Sequence, residues 1–310
     1  MQENQRCHRP SPTPDHVDHL FVNHDHIARR FDKHAGTYDN FSLIQKDMSR
    51  ECMDILRKIT GRYQFRPKSI LELGSGTGHL TSLLCKTFPD AYITAIDCAP
   101  SMIKIASDKL RDQRNLELLV ANIEDFKPQD TYDLIISNAT IQWLSNPKEQ
   151  MRYLNGFLTE RSVSLHLTFG PKTFQEIRHC MFEVVAERNR RGSDGTEISD
   201  LDANSAGLQN MVTANSASTW KEIFTDQRLR YVSLNQEERI LTYTTALSLL
   251  ESIRKTGASY TTSLHLKPSE LIKAIDLYDN LYACENGVTA TYEIIKIVAS
   301  GFYKDIQLSW

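Results

Sequence analysis

The apolar positions of the chain fall into stretches of distinct period. Between Asp25 and Thr60, Ile27, Phe31, Ala35 and Tyr38, then Leu43, Met48, Met53, Ile55 and Ile59, recur mostly at steps of three and four. That spacing lays side chains along one face of a helix. Two amphipathic helices are predicted, with a break near Gly36 to Phe41. Gly61 is read as the C-cap of the second, and Pro67 forbids further helix.

From Ser69 the pattern changes to short apolar runs alternating with amphipathic ones. Strands are predicted at Ser69–Leu73, Ala91–Asp97, Leu116–Ala121, Tyr132–Ser137 and Ser162–Phe169, and helices at Gly78–Thr87, Ser101–Leu110 and Lys148–Leu158. Strand and helix in regular alternation imply a mainly parallel sheet covered on both faces. Periodicity fades between Asn189 and Ser218, in a stretch rich in small polar residues that reads as a mobile insertion. Two short strands, Leu229–Leu234 and Arg239–Tyr243, follow it. Helices at Thr245–Lys255, closed by Gly257, and at Pro268–Tyr278 come next, then a final strand at Ala290–Ala299. At the other end, Pro10, Pro12 and Pro14 interrupt any periodic pattern. The expected organisation is a disordered lead-in at 1–24, a helical lid at 25–66 and one large domain at 67–310, with a flexible insertion at 189–218.

Composition narrows the function more than the fold. Hydrophobic residues make up 40% and charged residues 24% of 310, ordinary globular usage that can bury a core without staples. Thirty-six Lys and Arg against 39 Asp and Glu leave a formal charge of −3, so no global basic field draws nucleic acid, and any anion-binding patch is local. Six cysteines are scattered with no C-x-x-C pair or zinc spacing, and six of the ten histidines crowd the first 34 residues without an organised pair. No metal is expected, and free thiols suit a reducing cytosol. No apolar run nears the ~18–20 residues that span a bilayer, so no membrane partner and a cytoplasmic address are expected.

The candidate chemistry sits where the first strand ends. Leu71-Glu72-Leu73-Gly74-Ser75-Gly76-Thr77-Gly78 runs a strand into a glycine-rich turn that opens a helix, a place where ligands meet backbone that a Cβ would block. His79 stands where a dinucleotide fingerprint wants its third glycine, so a pyrophosphate cofactor fits less well. The second strand ends in Asp97, about where an acidic residue reaches a ribose in such sheets, although it could instead cap the following turn. Asn122 and Ile123 leave the third strand, and Ser137 to Thr140 leave the fourth. Phe31 reads as a packing residue.

These segments resemble the motifs of the class I S-adenosylmethionine-dependent methyltransferases over Ser69 to Gly170: Glu72 to Gly78 the first, Ala95 to Asp97 with Ser101 and Met102 the second, Asn122 to Asp125 the third, Tyr132 to Asn138 the fourth. The flanks narrow the likeness. Arg30 to Tyr38 with Gln45, Ser137 to Trp143, and Ala246 to Ala258 resemble the malonyl-acyl-carrier-protein O-methyltransferase family of early biotin synthesis. The long 189–218 stretch and the histidine-rich lead-in depart from that pattern.

The resemblance implies a Rossmann-like fold with a mainly parallel seven-stranded sheet, an antiparallel last strand, an N-terminal helical lid and helical insertions after strand five. It implies S-adenosylmethionine as cofactor, with Glu72, Gly74, Gly76 and Gly78 around its methionine part, Asp97 at the ribose, Met102, Asn122 and Ile123 at the adenine, and Asn138 beneath the sulfonium. Tyr38 and Gln45 would close the site from above, and Tyr38, Gln142 and Trp143 would position the reactants. Acyl carrier protein bearing a malonyl thioester, or malonyl coenzyme A, is the implied partner. Its carboxylate is ionised at neutral pH, so no general base is needed. Lys172, Arg178, Arg188, Arg190 and Arg191 are the candidate landing site for an acidic carrier. Alternative substrates are an aconitate-like acid or a quinone precursor, and a non-catalytic cofactor-binding partner protein is the alternative of a different class.

Overall fold

The computed structural model describes residues 24–192, 214–225, 229, 231–258 and 266–302. The lead-in, apart from His24, and positions 193–213 of the expected insertion lie outside the described residues.

The core is one sheet. Strands β1 (Ser69–Leu73), β2 (Tyr92–Asp97), β3 (Leu116–Val120), β4 (Tyr132–Asn138) and β5 (Leu158–Phe169) run parallel. Strand β8 (Gly287–Ser300) lies antiparallel between β5 and β6 (Tyr231–Tyr243), giving the order β3-β2-β1-β4-β5-β8-β6. A two-residue strand, β7 (Ala283–Cys284), folds back on β8 and brings the sheet to eight strands.

Successive residues of a strand point to opposite faces. In β1 and β4, Ile70, Leu134 and Ile136 enter one core with α2 (Leu43–Tyr63) and α3 (His79–Thr87), while Leu71, Leu73 and Ile135 enter another with Leu154 of α5 (Pro147–Asn155). Parallel strands covered on both faces need such uninterrupted apolar runs. Helix α4 (Pro100–Leu110) connects β2 to β3, and α1 (His24–Phe41) lies across α4 and α8 (Ala246–Lys255). Helices α6 (Gln175–Gly192) and α9 (Pro268–Leu281) pack on each other, and α7 (Ala217–Thr225) sits against β6. Among the described residues, no helix is long and apolar enough to cross a membrane.

Four expectations change. The helix break falls at Ser42, not across Gly36 to Phe41. Helix α2 runs past Gly61, because Tyr63 packs against the core and Gln64, at φ 51°, takes the left-handed position instead. Helix α5 stops at Asn155, because β5 begins at Leu158 and pairs with Tyr132. The two short strands are one β6 of 13 residues. Its polar middle stays in register because β8 takes its backbone bonds and because Glu237 and Arg239 join Lys296 and Glu51 in a charge network.

Candidate active site

The carboxyl ends of β1, β2 and β4 lie side by side, with Leu73 opposite both Ile96 and Ser137. The turn after β1 is left-handed at Gly74 (φ 73°) and Gly76 (φ 52°). At Gly74 a Cβ would overlap Thr140 Oγ1 and Cγ2, so glycine lets the first turn and the end of β4 meet. Asp97 fixes the turn from the next strand: Oδ2 accepts from Gly76 N at 2.8 Å and Oδ1 from Ala99 N at 2.9 Å. It therefore caps a turn and lines the cavity together. Burial holds its carboxyl above the usual range.

Three cavities adjoin here, and Tyr38 of α1 lines all of them. The first, of about 700 Å³, is bounded by Gly74, Gly76, Asp97, Met102, Asn122, Ile123, Asn138 and Trp143. A polar recess of about 380 Å³ opens off it between Gln45, Glu72, Ser75 and Asn138. The remaining cavity, of about 600 Å³, lies under α1 and α8 and is lined by Phe41, Gln142, Phe169, Ser252, Ile253 and Tyr292. Phe31, Ala139 and Trp143 are walls common to the two larger cavities, and Phe31 meets Trp143 edge to face at 5.8 Å.

The recess holds an unusual number of unanswered polar atoms. Glu72 Oε2, Ser75 Oγ, Gln45 Oε1 and Asn138 Oδ1 are all buried without a hydrogen-bond partner. Buried polar groups are almost always paired, so these acceptors fit the charged amino-acid end of a ligand. Burial, with the Asp97 charge adding to it, pushes the Glu72 carboxyl up to about 7. Asn138 Nδ2 donates to Gln45 O at 2.7 Å and to Ser49 Oγ at 2.8 Å, tying the end of β4 to α2. Tyr38 remains a neutral phenol, its pKa raised by burial and then by Asp97 and Asp39.

The candidate residues are sorted by this geometry. Gly78 lines none of the three cavities: its backbone is left-handed (φ 82°) and the space beside it is filled by Leu110 and Ala106, so a glycine here lets the turn before α3 approach α4. Gln142 faces the 600 Å³ cavity, with its amide tied at both ends, Nε2 donating to Ala139 O and Oε1 accepting from Thr168 Oγ1. Phe31, expected only to pack, is a wall of two cavities. Ser252 and Ile253, within the 246–258 stretch that carries the family resemblance, and Tyr292 are not singled out as site residues by sequence alone; packing of α8 and β8 brings them to the site. The basic group is dispersed. Lys172 pairs with Glu238 at 2.5 Å, Arg178 donates to Thr173 O and Pro171 O, and Arg188 lies 3.4 Å from Glu270. Arg190 is exposed, and the Arg191 side chain is outside the described residues.

A parallel sheet with an antiparallel strand inserted beside β5, and a glycine turn facing an acidic strand end, define a class I S-adenosylmethionine-dependent methyltransferase, and the chain belongs to that class. Residues 70–158 match the Methyltransferase domain family. The fold is shared with BH2331 of Bacillus halodurans C-125 (TM-score 0.53, 11% identity, 81% of this chain and 100% of that one). Within the class, it groups with proteins named malonyl-[acyl-carrier protein] O-methyltransferase. It is 31% identical to that of Paenibacillus sp. (strain JDR-2), over 88% of this chain and 97% of the relative. It is 32% identical to that of Priestia megaterium (strain DSM 319 / IMG 1521), over 88% and 96%.

Proposed function

We propose that the protein transfers a methyl group from S-adenosylmethionine to the free carboxylate of a malonyl thioester, carried by acyl carrier protein or coenzyme A. The observation that carries this reading is the pair of large cavities meeting at Phe31, Tyr38, Ala139 and Trp143, one polar at its base and one roofed by α1 and α8. The full-length likeness to relatives of that name supports it.

In this reading each Asp97 oxygen keeps a lone pair for a ribose hydroxyl after accepting its backbone bond. Met102 packs on the adenine, and Asn122 and Ile123 flank it. Glu72, Gln45 and Asn138 receive the ammonium of the methionine part with the unpartnered acceptors of the recess. When bound, the cofactor supplies an electrophilic methyl group on a positively charged sulfur. Tyr38 and Trp143 separate the cavities and align the carboxylate with that methyl, since alignment is most of what such a transfer requires.

Among the described residues, no Lys, Arg or His lines the 600 Å³ cavity. The carboxylate is ionised at neutral pH without a base. The aromatic walls Phe31, Phe41, Phe169 and Trp143 keep water from the nucleophile.

The test supplies methyl-labelled adenosylmethionine with malonyl carrier protein, malonyl coenzyme A, aconitate and a quinone precursor in parallel. Label in the malonyl thioesters is expected. Label only in a non-malonyl substrate, or in none, overturns the proposal.

A further inference from the structure

Helix α1 is segregated by charge. Asp25, Asp32 and Asp39 recur every seven residues and share one stripe. Two of them bind towards the cofactor side: Asp32 accepts from Ser101 N at 2.7 Å, at the start of α4, and Asp39 accepts from Thr77 Oγ1 at 2.6 Å and pairs with Lys109. A second stripe, at steps of three and four, holds Arg30, Lys33, His34 and Thr37, and it follows the last turn of α8. Thr37 Oγ1 donates to Lys255 O at 3.0 Å, and Gly257 lies against the backbone of Arg30 and Phe31.

The cations of both helices gather at this seam. His34 sits among them, held below the usual imidazole range by burial and then by the charges of Lys33, Arg254 and Arg30. Lys255 pairs with Glu251 at 2.9 Å and covers the Phe41 ring. Lys33 and Arg254 are exposed and have no ion-pair partner among the described residues. Directly beneath, Phe31 and Phe41 of α1, Ser252 and Ile253 of α8, and Thr256 just past its end line the 600 Å³ cavity. Basic residues in the last turn of α8 also complement its helix dipole. That explains Arg254 and Lys255 but not the cations of α1 facing them.

We infer that the α1–α8 seam, centred on Lys33 and Arg254, is the surface on which an acidic carrier protein lands to feed its thioester arm into the cavity below. The inference rests on the carboxyl-methylation reading of the site. Charge complementarity selects this occupant: Lys172, Arg178 and Arg188 are engaged within the chain, whereas the seam presents unpaired cations beside the substrate cavity. Such cations steer an acidic partner and raise its rate of encounter, an effect that salt screens.

The experiment compares the full chain with the double charge reversal Lys33→Glu/Arg254→Glu, using malonyl carrier protein and the small malonyl N-acetylcysteamine thioester, which lacks phosphates. The expected result is a rise of about tenfold or more in KM for the carrier protein, with loss of its salt dependence. kcat, the KM for the small thioester and the Kd for adenosylmethionine should be unchanged. The Kd shows that the variant is folded. A carrier KM unchanged in the variant, while wild type methylates the carrier, overturns the docking surface alone. Failure of wild type to methylate any malonyl thioester overturns the underlying reading of the site, and the docking surface with it.

Discussion

Gly74→Ala tests whether contact between the glycine turn and the end of β4 shapes the cofactor cavity. The backbone at Gly74 is left-handed (φ 73°), which costs a residue with a Cβ about 1–2 kcal/mol. The new methyl would overlap Thr140 Oγ1 and Cγ2 and stand 2.9 Å from Thr140 Cβ, and overpacking of this kind costs about 1–3 kcal/mol. A loss of about 3 kcal/mol of unfolding free energy is expected in urea melts, together with weaker adenosylmethionine binding by calorimetry. The partner substitution separates the two causes. Thr140→Ala removes the two overlapping atoms and forfeits the bond from Thr140 Oγ1 to Asn138 O (3.0 Å), about 1 kcal/mol. In the double variant it should relieve about 1–2 kcal/mol of the overlap, leaving the backbone cost, the lost hydrogen bond and the close contact with Thr140 Cβ. Additivity of the two substitutions within about 0.5 kcal/mol, or a Gly74→Ala protein as stable as its parent, would show that the turn and Thr140 are not packed against each other.

Glu72 should make stability depend on pH. Its folded pKa of about 7 lies above its ordinary value of 4.5, so between those values the folded protein keeps a proton that the unfolded chain has released. Stability therefore falls as pH rises through that window, and the penalty, up to ~3 kcal/mol, is complete above it. Glu72→Gln should bring the urea midpoints at pH 5 and pH 8 together while weakening adenosylmethionine binding; midpoints as far apart as in wild type would contradict this. At the latch of α1, Asp39→Asn leaves Thr77 an acceptor and removes an ion pair whose side chains are 36% and 42% exposed, worth ~0–1 kcal/mol. Asp39→Ala removes both contacts, so proteolysis within α1 should accelerate more for Ala than for Asn.

Elements whose signals are local are legible from the residues alone. Strand β1 was legible to the residue from an apolar run bounded by Pro67 and Gly74, and the turn that follows it from glycines that its backbone requires. Asp97, Asn122 and Asn138 could be placed at strand ends because a parallel sheet puts all such ends on one edge. Tertiary structure decided what depends on residues far apart in the chain. The continuity of β6 comes from pairing with β8 and from Glu51 on α2, none of which leaves a mark in the local period of residues 231–243. The neighbours that crowd Gly78, Ala106 and Leu110, come from α4, about 30 residues further along the chain. Likewise, the partners of Lys172, Arg178 and Arg188 (Glu238, nearby carbonyls and Glu270) come from elsewhere in the fold, and the cations of α1 and α8, over 200 residues apart in sequence, are drawn into one seam by the contact of Thr37 with Lys255. Local periodicity reports which face of an element is apolar; which charges then meet is set only when distant faces are buried together.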